Sequence, residues 1–361
     1  KLDIGNNKIK DLPPNIGQMM ALRELLVRGN RLINLPPDIG ELQDLVELDL
    51  SNNRLRRLTS TVKHLKKLRK LYLWNNRLTE LPTEIGKLKS LQILHLGGNN
   101  LTTLPTSIQQ LKQLNNLGLA YNNLLHFPDK FYKLSNLKNL DLEGNPKMNW
   151  LTVFTKPNKF NNLRVVNLIN NNLIDLPPNI DALQQLQVLD IKQNPMMNWK
   201  SVFVQLSQLS SLKQLDVSNN NIQQFPSEIQ LLDALTFLNI ANNPTLDWGS
   251  TFPVLAKMNR LESLILSGNK LQKIPSSIVE LANNPNLNWE LLFETLEGMN
   301  QLQILSLVDN DISTVPANVD KLIKIKELHL WMNNFNLNSV QHRSMQNNLP
   351  NTSIIYMPRY F

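Results

Sequence analysis

One phrase returns along this chain at a fixed interval. Leu45 opens LVELDLSNNRL, Leu68 opens LRKLYLWNNRL and Leu91 opens LQILHLGGNNL, all of the form LxxLxLxxNxL. Fifteen copies of its Asn run in register from Asn7 to Asn333. In the LxL core, apolar residues alternate with variable ones, so each copy predicts a short strand with one buried face. A single unit of this length cannot bury that face alone. Stacked units can, and their strands then form one long parallel sheet. The repeated Asn stands where the strand turns away from the sheet. Its amide both donates and accepts, so it can satisfy backbone groups of its own coil and of the next. These Asn are expected to be a structural ladder with no functional role.

A second phrase, LPxxI, follows the Asn in most coils: Leu12–Ile16, Leu35–Ile39, Leu81–Ile85, Leu176–Ile180 and, as FPSEI, Phe225–Ile229. Proline fixes φ and donates no hydrogen bond, which suits an extended or single-turn segment on the outer face. From Asn145 onwards the spacing of the ladder Asn alternates between 26 and 23. The long coils carry NPxxxW, at Asn145–Trp150, Asn194–Trp199, Asn243–Trp248 and Asn284–Trp289, with Phe154, Phe203, Phe252 or Phe293 four residues after the Trp. Asn149, Asn198, Asp247 and Asn288 are good helix N-caps. Trp199, Val202, Phe203, Leu206 and Leu209 follow helical spacing. Three added residues supply nearly one more helical turn. Helical coils should therefore alternate with LP coils in the second half, Pro157 should cut the first helix short, and the Trp should plug the core beneath the outer face.

The ladder phrase resembles the leucine-rich repeat family, and the resemblance covers essentially the whole chain. It implies an α/β fold: a leucine-rich repeat solenoid, or horseshoe, of about 15 coils, with the parallel sheet on the concave face and LP segments and short helices on the convex face. The LPxxI phrase resembles the subclass found in plant intracellular Ras-group repeat proteins, Ras-pathway scaffolds and many bacterial repeat proteins. The organisation expected is a solenoid over residues 1–338, regular over 1–144 and alternating over 145–338, followed by a C-terminal cap over 339–361. The chain opens within a strand, so the natural protein is expected to extend upstream.

Composition narrows the chemistry. With no Cys there is no disulfide, thiolate metal site or cysteine nucleophile. No HExxH, G-x-x-x-x-G-K or G-x-S-x-G occurs. The five His are scattered, without metal-ligand spacing. No apolar run approaches the length of a membrane span. A non-enzymatic chain with no cofactor is expected, and nothing in it sets a compartment.

What remains is surface. Most outward strand positions are small, polar or of mixed charge, among them Asp49, Ser51, Asp141, Glu143, Asp216 and Ser218. Tyr72 and Trp74 stand out on the fourth strand. His95 lies one coil on and should touch or nearly touch them, because neighbouring strands are about 4.8 Å apart. Tyr121 follows at the edge of the sixth strand, and His329 and Trp331 share the last regular one. Exposed Trp and Tyr are the residue types that anchor interfaces, although single exposed apolar residues are also ordinary surface.

Charge is concentrated as well. The net charge is +8, yet Ser51–Thr79 holds nine bases and no acid, and without them the balance is −1. Lys8, Arg31, Arg54 and Arg77 each follow a ladder Asn and should stack along one rim, with Arg56 and Arg57 beside them. That rim suits an acidic partner or a polyanion. Charge runs are usually solvated faces, which makes a solvated rim, with Asp11 and Glu80 as counter-charges, the favoured reading. No nucleic-acid motif accompanies it. Three functions follow: a scaffold recognising a protein or peptide on its concave face; the recognition arm of a larger signalling or effector protein; or a surface protein that binds polyanions or glycans.

One stretch breaks the beat. Asn145, Asn194 and Asn243 are 49 apart, but Asn243 and Asn284 only 41. Eight residues appear to be absent near Glu280–Leu281, where the LxxLxxLx approach to a strand should stand. A chain break is expected there, with Cα atoms much farther apart than the roughly 3.8 Å of a trans peptide link.

Overall fold

The computed structural model describes residues 1–154, 160–255, 257–258, 260–269, 302–308, 319–322, 324–331, 333 and 340–356. The chain divides into two compact units, one of Lys1–Asn171 with Leu176–Leu186, the other of Asn172–Asp175 with Gln187–Phe361.

In the first unit each coil gives one strand: β1 (Leu2–Asp3), β2 (Glu24–Leu26), β3 (Glu47–Asp49), β4 (Lys70–Tyr72), β5 (Ile93–His95), β6 (Asn116–Gly118), β7 (Asn139–Asp141) and β8 (Val165–Asn167). They pair in parallel and in sequence order, with Leu48↔Leu71 and Leu71↔Leu94 in register. The period keeps every ladder Leu above the last, and these Leu are fully buried. Each such side chain contributes roughly 1.5–3 kcal/mol, so the stack has a continuous core although no coil has its own.

The LP phrases become single 3₁₀ turns, Pro14–Gln18, Pro37–Glu41, Thr83–Lys87 and Thr106–Gln110. The preceding prolines, Pro13, Pro36, Pro82 and Pro105, hold the extended backbone that starts them, with φ between −69° and −65°. Their Ile is buried against the ladder Leu.

The Asn ladder works in the opposite direction to the one expected. Asn53 Nδ2 donates to Leu50 O of its own coil and to Val27 O of the preceding coil, and its Oδ1 accepts from Leu32 N, also of the preceding coil, all at 3.0 Å. Asn76, Asn99 and Asn122 repeat the pattern. Each Asn therefore locks its coil onto the one before it.

In the second unit β9 (Val188–Asp190), β10 (Gln214–Asp216), β11 (Phe237–Asn239), β12 (Ser263–Ile265), β13 (Ile304–Ser306), β14 (Glu327–His329) and β15 (Ser353–Ile355) again pair in parallel and in order. The NPxxxW phrase starts α1 (Trp199–Leu206), capped by Asn198, and α2 (Trp248–Leu255). At Trp150 it gives a 3₁₀ turn, Trp150–Thr152. The core plug is the Phe at the first two phrases, and both the Phe and the Trp at the third. Phe203 is 0% exposed and Phe154 1%, whereas Trp150 and Trp199 are half-buried and Trp248 is buried. The Trp sits at the first helical position and leaves one edge outside; the Phe, one turn on, points inward. The indole N–H groups of Trp150, Trp199 and Trp248 are buried and meet no acceptor among the described residues.

β12 pairs directly with β13, Leu264 opposite Leu305. The break expected at Glu280–Leu281, together with Pro157 and Trp289, lies outside the described residues. α3 (Val340–Asn348) precedes β15, which adds to β14.

Candidate functional site

The side chains that point away from the core on β4–β8 make the most structured patch of the first unit. Tyr72 and His95, opposite each other in register, meet edge to face with ring centroids 5.3 Å apart. His95 Nε2 lies 3.1 Å from Asn116 Oδ1. Trp74 makes no ring contact with either, contrary to the expected cluster of three. It lies instead on Gly97: a Cβ there would come within 2.6 Å of Trp74 Cε3. Gly118 stands in the same relation to His95, and Gly144 to Tyr121. Each of these three rings thus has a glycine at the same place in the next coil. The glycine lets the ring lie flat across the neighbouring strand.

Trp74, His95, Gly97, Gly118 and Ala120 together with Asn116, Asn139, Asp141 and Asn167 line an open hollow of about 450 Å³. Glycine and alanine form its floor where longer side chains stand on neighbouring coils. Trp74 is 41% exposed and Tyr121 47%. Tyr121 hydroxyl donates to Glu143, whose other carboxylate oxygen accepts from Asn167 Nδ2 at 3.4 Å. Asp141 Oδ1 accepts from Glu143 N at 3.2 Å. Burial pushes the Asp141 carboxyl above the usual carboxylate range, against the opposing hydrogen bond from the Glu143 N–H. Burial likewise raises the Tyr72 phenol.

Tyr121 also carries strain. It has φ of 51° and occupies the left-handed position before the ladder Asn. Asn6, Asn52, Asn75, Asn170, Gly29, Gly98 and Gly144 fill that position in the other coils of this unit. A bulky residue there is an outlier, and such strain concentrates at functional sites.

The basic residues do not form a single surface. Lys8, Arg31, Arg54 and Arg77 are exposed and stack coil on coil through Arg31 N–Ile9 O, Arg54 N–Leu32 O and Arg77 N–Leu55 O. Lys63 belongs to the 3₁₀ layer, while Lys70 lies on the sheet face and pairs with Glu47 at 3.0 Å. Lys67 pairs with Asp44 at 2.6 Å. Among the described residues no acid lies within ion-pair distance of Arg31, Arg54, Arg56, Arg57 or Arg77, and Asp11 and Glu80 pair with none of them. In the second unit His329 Nε2 lies 3.1 Å from Glu327 Oε2, and Trp331 is half-buried with no ring partner among the described residues. Among the described residues no group of acids and histidines could hold a metal ion, and no helix is long and apolar enough to cross a membrane.

The sequence points to Tyr72, Trp74, His95 and Tyr121 but not to the floor and the far wall, Gly97, Gly118, Asp141 and Asn167. A signal for the floor is nevertheless present: a glycine one coil after Trp74, after His95 and after Tyr121.

An α/β solenoid of short coils, its sheet face open to other molecules, defines a class of binding repeat. The chain belongs to the leucine-rich repeat family. The model described as a leucine-rich repeat region matches residues 59–156, and two described as leucine-rich repeat match 20–78 and, separately, 211–232 and 260–289. No curated protein sequence matches the chain. Among solved structures, a leucine-rich repeat protein of Leptospira interrogans is similar at 28% identity and a TM-score of 0.64, over 99% of this chain and 83% of that one. A plant peptide hormone receptor, in complex with the peptide RGF2, is similar at 23% identity and 0.62, over 98% of this chain and 54% of that one. An internalin of Listeria monocytogenes is similar at 17% identity and 0.59, over 99% and 87%. The two latter likenesses concern the fold.

Proposed function

We propose that the chain is a non-enzymatic scaffold that recognises a protein or peptide on the sheet face of β4–β8. The observation that carries this is the hollow between Trp74 and Asp141, walled by exposed aromatics on a glycine floor and flanked by a strained Tyr121. Ordinary solvated sheet face needs none of these features. Exposed Trp and Tyr on a rigid element supply contact area at low entropic cost. The solved structure of a receptor with its peptide is consistent with such use of this fold. Within this reading the chain is a member of the LPxxI subclass that it resembles, that of plant Ras-group, Ras-pathway and bacterial repeat proteins, a reading supported by its LPxxI phrases alone. Residues 339–361 then act as a cap. His329 and Trp331 are a secondary contact. A signalling or effector protein carrying this chain as its recognition arm would use the same face.

Panning a random-peptide display library on the folded protein tests the reading. Selected peptides should lose at least about tenfold in affinity for Tyr72→Ala/Trp74→Ala protein that still melts cooperatively. Unchanged affinity for that double variant would overturn the choice of site.

One observation favours a second surface. Arg31, Arg54 and Arg77 form an exposed column with no acid paired to it among the described residues, and like charges at coil spacing repel unless solvated or paired. Salt-sensitive binding to heparin, lost on reversing Arg54, Arg56 and Arg57 to Glu, would establish a polyanion or glycan site there.

A further inference from the structure

We propose that the hollow on β5–β8 is a pocket for a cationic side chain, arginine or lysine, of the peptide partner; this rests on the reading above and specifies its chemistry. The first support is how charge is balanced along the sheet face. On β1–β4 every outward acid has a base within ion-pair distance: Asp3 and Asp49 share Arg28 at 3.9 Å, Glu24 has Lys1 at 2.9 Å and Glu47 has Lys70 at 3.0 Å. On the coil of β7, Asp141 and Glu143 have no ion-pair partner among the described residues. They are the acids that flank the hollow.

These carboxylates are also held in place. Asp141 is fixed by the Glu143 N–H, and Glu143 by Tyr121 and Asn167. A guest cation therefore meets acceptors that need little ordering. Opposite them stands the indole of Trp74, seated on Gly97, and an arginine or lysine near an indole face gains a cation–π term. Between the two walls, Gly97, Gly118 and Ala120 leave space for an aliphatic stem, and about 450 Å³ accommodates either side chain. The strain at Tyr121 has a role here as well, since this residue orients Glu143.

Other occupants fit less well. An anion would face the Asp141 carboxylate that lines the hollow. A purely apolar group would strip water from Asp141 without giving it a partner, which is costly. Burial already raises the Asp141 carboxyl, and an incoming cation relieves that cost.

Two measurements decide it. In the first, the Trp74 indole N–H resonance, assigned by its loss in Trp74→Phe, is followed while N-acetyl-arginine methylamide is added to tens of millimolar. The citrulline and leucine analogues are added in parallel. Arginine should shift the resonance saturably and the neutral analogues should not. No arginine shift, or an equal shift with citrulline, overturns the inference. In the second, each selected peptide that depends on Trp74 has its basic residue replaced by citrulline. Affinity should fall at least about tenfold on the wild type and hardly at all on Asp141→Asn/Glu143→Gln protein. Asn keeps the acceptor for the Glu143 N–H and Gln keeps one for the Tyr121 hydroxyl, and cooperative melting of the variant confirms that it folds. Peptides that need Trp74 but carry no basic residue would overturn the cation pocket and leave peptide recognition standing. Peptides indifferent to Trp74 would overturn peptide recognition at this site.

Discussion

The sheet faces of β2–β4 and β5–β8 are built on the same coil and differ in what they do with charge and volume. On β2–β4, Glu24, Glu47 and Asp49 meet Lys1, Lys70 and Arg28 across neighbouring strands. On β5–β8, glycines take positions where such side chains would stand, aromatics lie over the glycines, and two carboxylates stay unpaired among the described residues. Beneath both faces the Leu core and the Asn ladder are identical. A solenoid of this kind specifies its fold on one side of the strand and its recognition on the other, with little cross-talk between them.

If that separation holds, ladder mutations should cost the same in both regions. Asn53→Ala and Asn122→Ala each leave one buried N–H and two buried carbonyls without their amide partner. Each orphaned group costs about 1–3 kcal/mol, so both variants should lose upwards of about 3 kcal/mol in chemical denaturation. A loss at one site more than about twofold the loss at the other would mean that the faces do influence the core.

A glycine exchange should separate stability from binding. Gly97→Ala drives its Cβ into the exposed Trp74 ring, which can move aside, and leaves the Ala120 carbonyl at a tight but less severe approach of 3.1 Å, so the cost should stay at about 1 kcal/mol while peptide affinity falls. Gly40→Ala, in the 3₁₀ layer, meets the Thr61 carbonyl at 2.7 Å. Backbone cannot move aside as a ring can. That variant should cost more in melting experiments and leave peptide affinity unchanged.

These relations mark what the sequence could and could not reveal. Strand positions, the LP turns and the ladder were legible because each depends on a period within the chain. The helix starts at Asn198 and Asp247 were legible from local capping chemistry. The direction of the ladder bonds was not, since an Asn amide offers both donor and acceptor and the pattern is symmetric in either direction. Nor was the division between Trp and Phe in NPxxxW, because both are large and apolar and only the helix geometry decides which points inward. The hollow escaped because its floor is an absence of side chains: Gly97 and Gly118 read as weak strand formers until they are seen one coil away from Trp74 and His95.

Tyr121→Asn should move stability and binding in opposite directions. Asparagine tolerates φ of 51°, and relief of left-handed strain is worth about 1–2 kcal/mol. Loss of the bond to Glu143 and of contact on Gly144 offsets part of that. A net gain of about 0.5–1 kcal/mol in thermal unfolding is expected, with weaker peptide binding. A variant that is less stable and binds normally would remove Tyr121 from the site.

Asp141→Asn tests the unpaired acid through pH. The folded-state pKa is raised by burial, so the folded protein holds this proton to higher pH than the unfolded chain does. Ionisation of Asp141 then costs stability above the raised value, and the cost disappears as pH falls through the usual carboxylate range. The variant should therefore match or slightly exceed the wild type at neutral pH, with the difference closing in acid. A variant less stable at neutral pH would show that Asp141 already has a favourable partner within the fold, contrary to the contrast between the two faces.

The smallest effect belongs to the paired face. Lys70 is raised above the ordinary lysine value by its hydrogen bond and charge interaction with Glu47. The pair is at 3.0 Å, but its side chains are 44% and 23% exposed. Water and salt screen such a pair, and ordering two long side chains offsets much of the attraction. Lys70→Met should therefore change stability by no more than about 0.5 kcal/mol at moderate salt. Because the folded-state pKa is raised, whatever the pair contributes is present at neutral pH and lost only as pH rises through the lysine range. The informative readout is binding. Removing Lys70 exposes Glu47 as an unpaired acid beside Tyr72, giving β3–β4 the charge pattern of β7. If unpaired carboxylates next to aromatics attract basic side chains, Lys70→Met should acquire weak, salt-sensitive binding to arginine-rich peptides, measurable by calorimetry. If it does not, acid and aromatic alone are insufficient, and the glycine floor of the hollow is the feature that makes the difference.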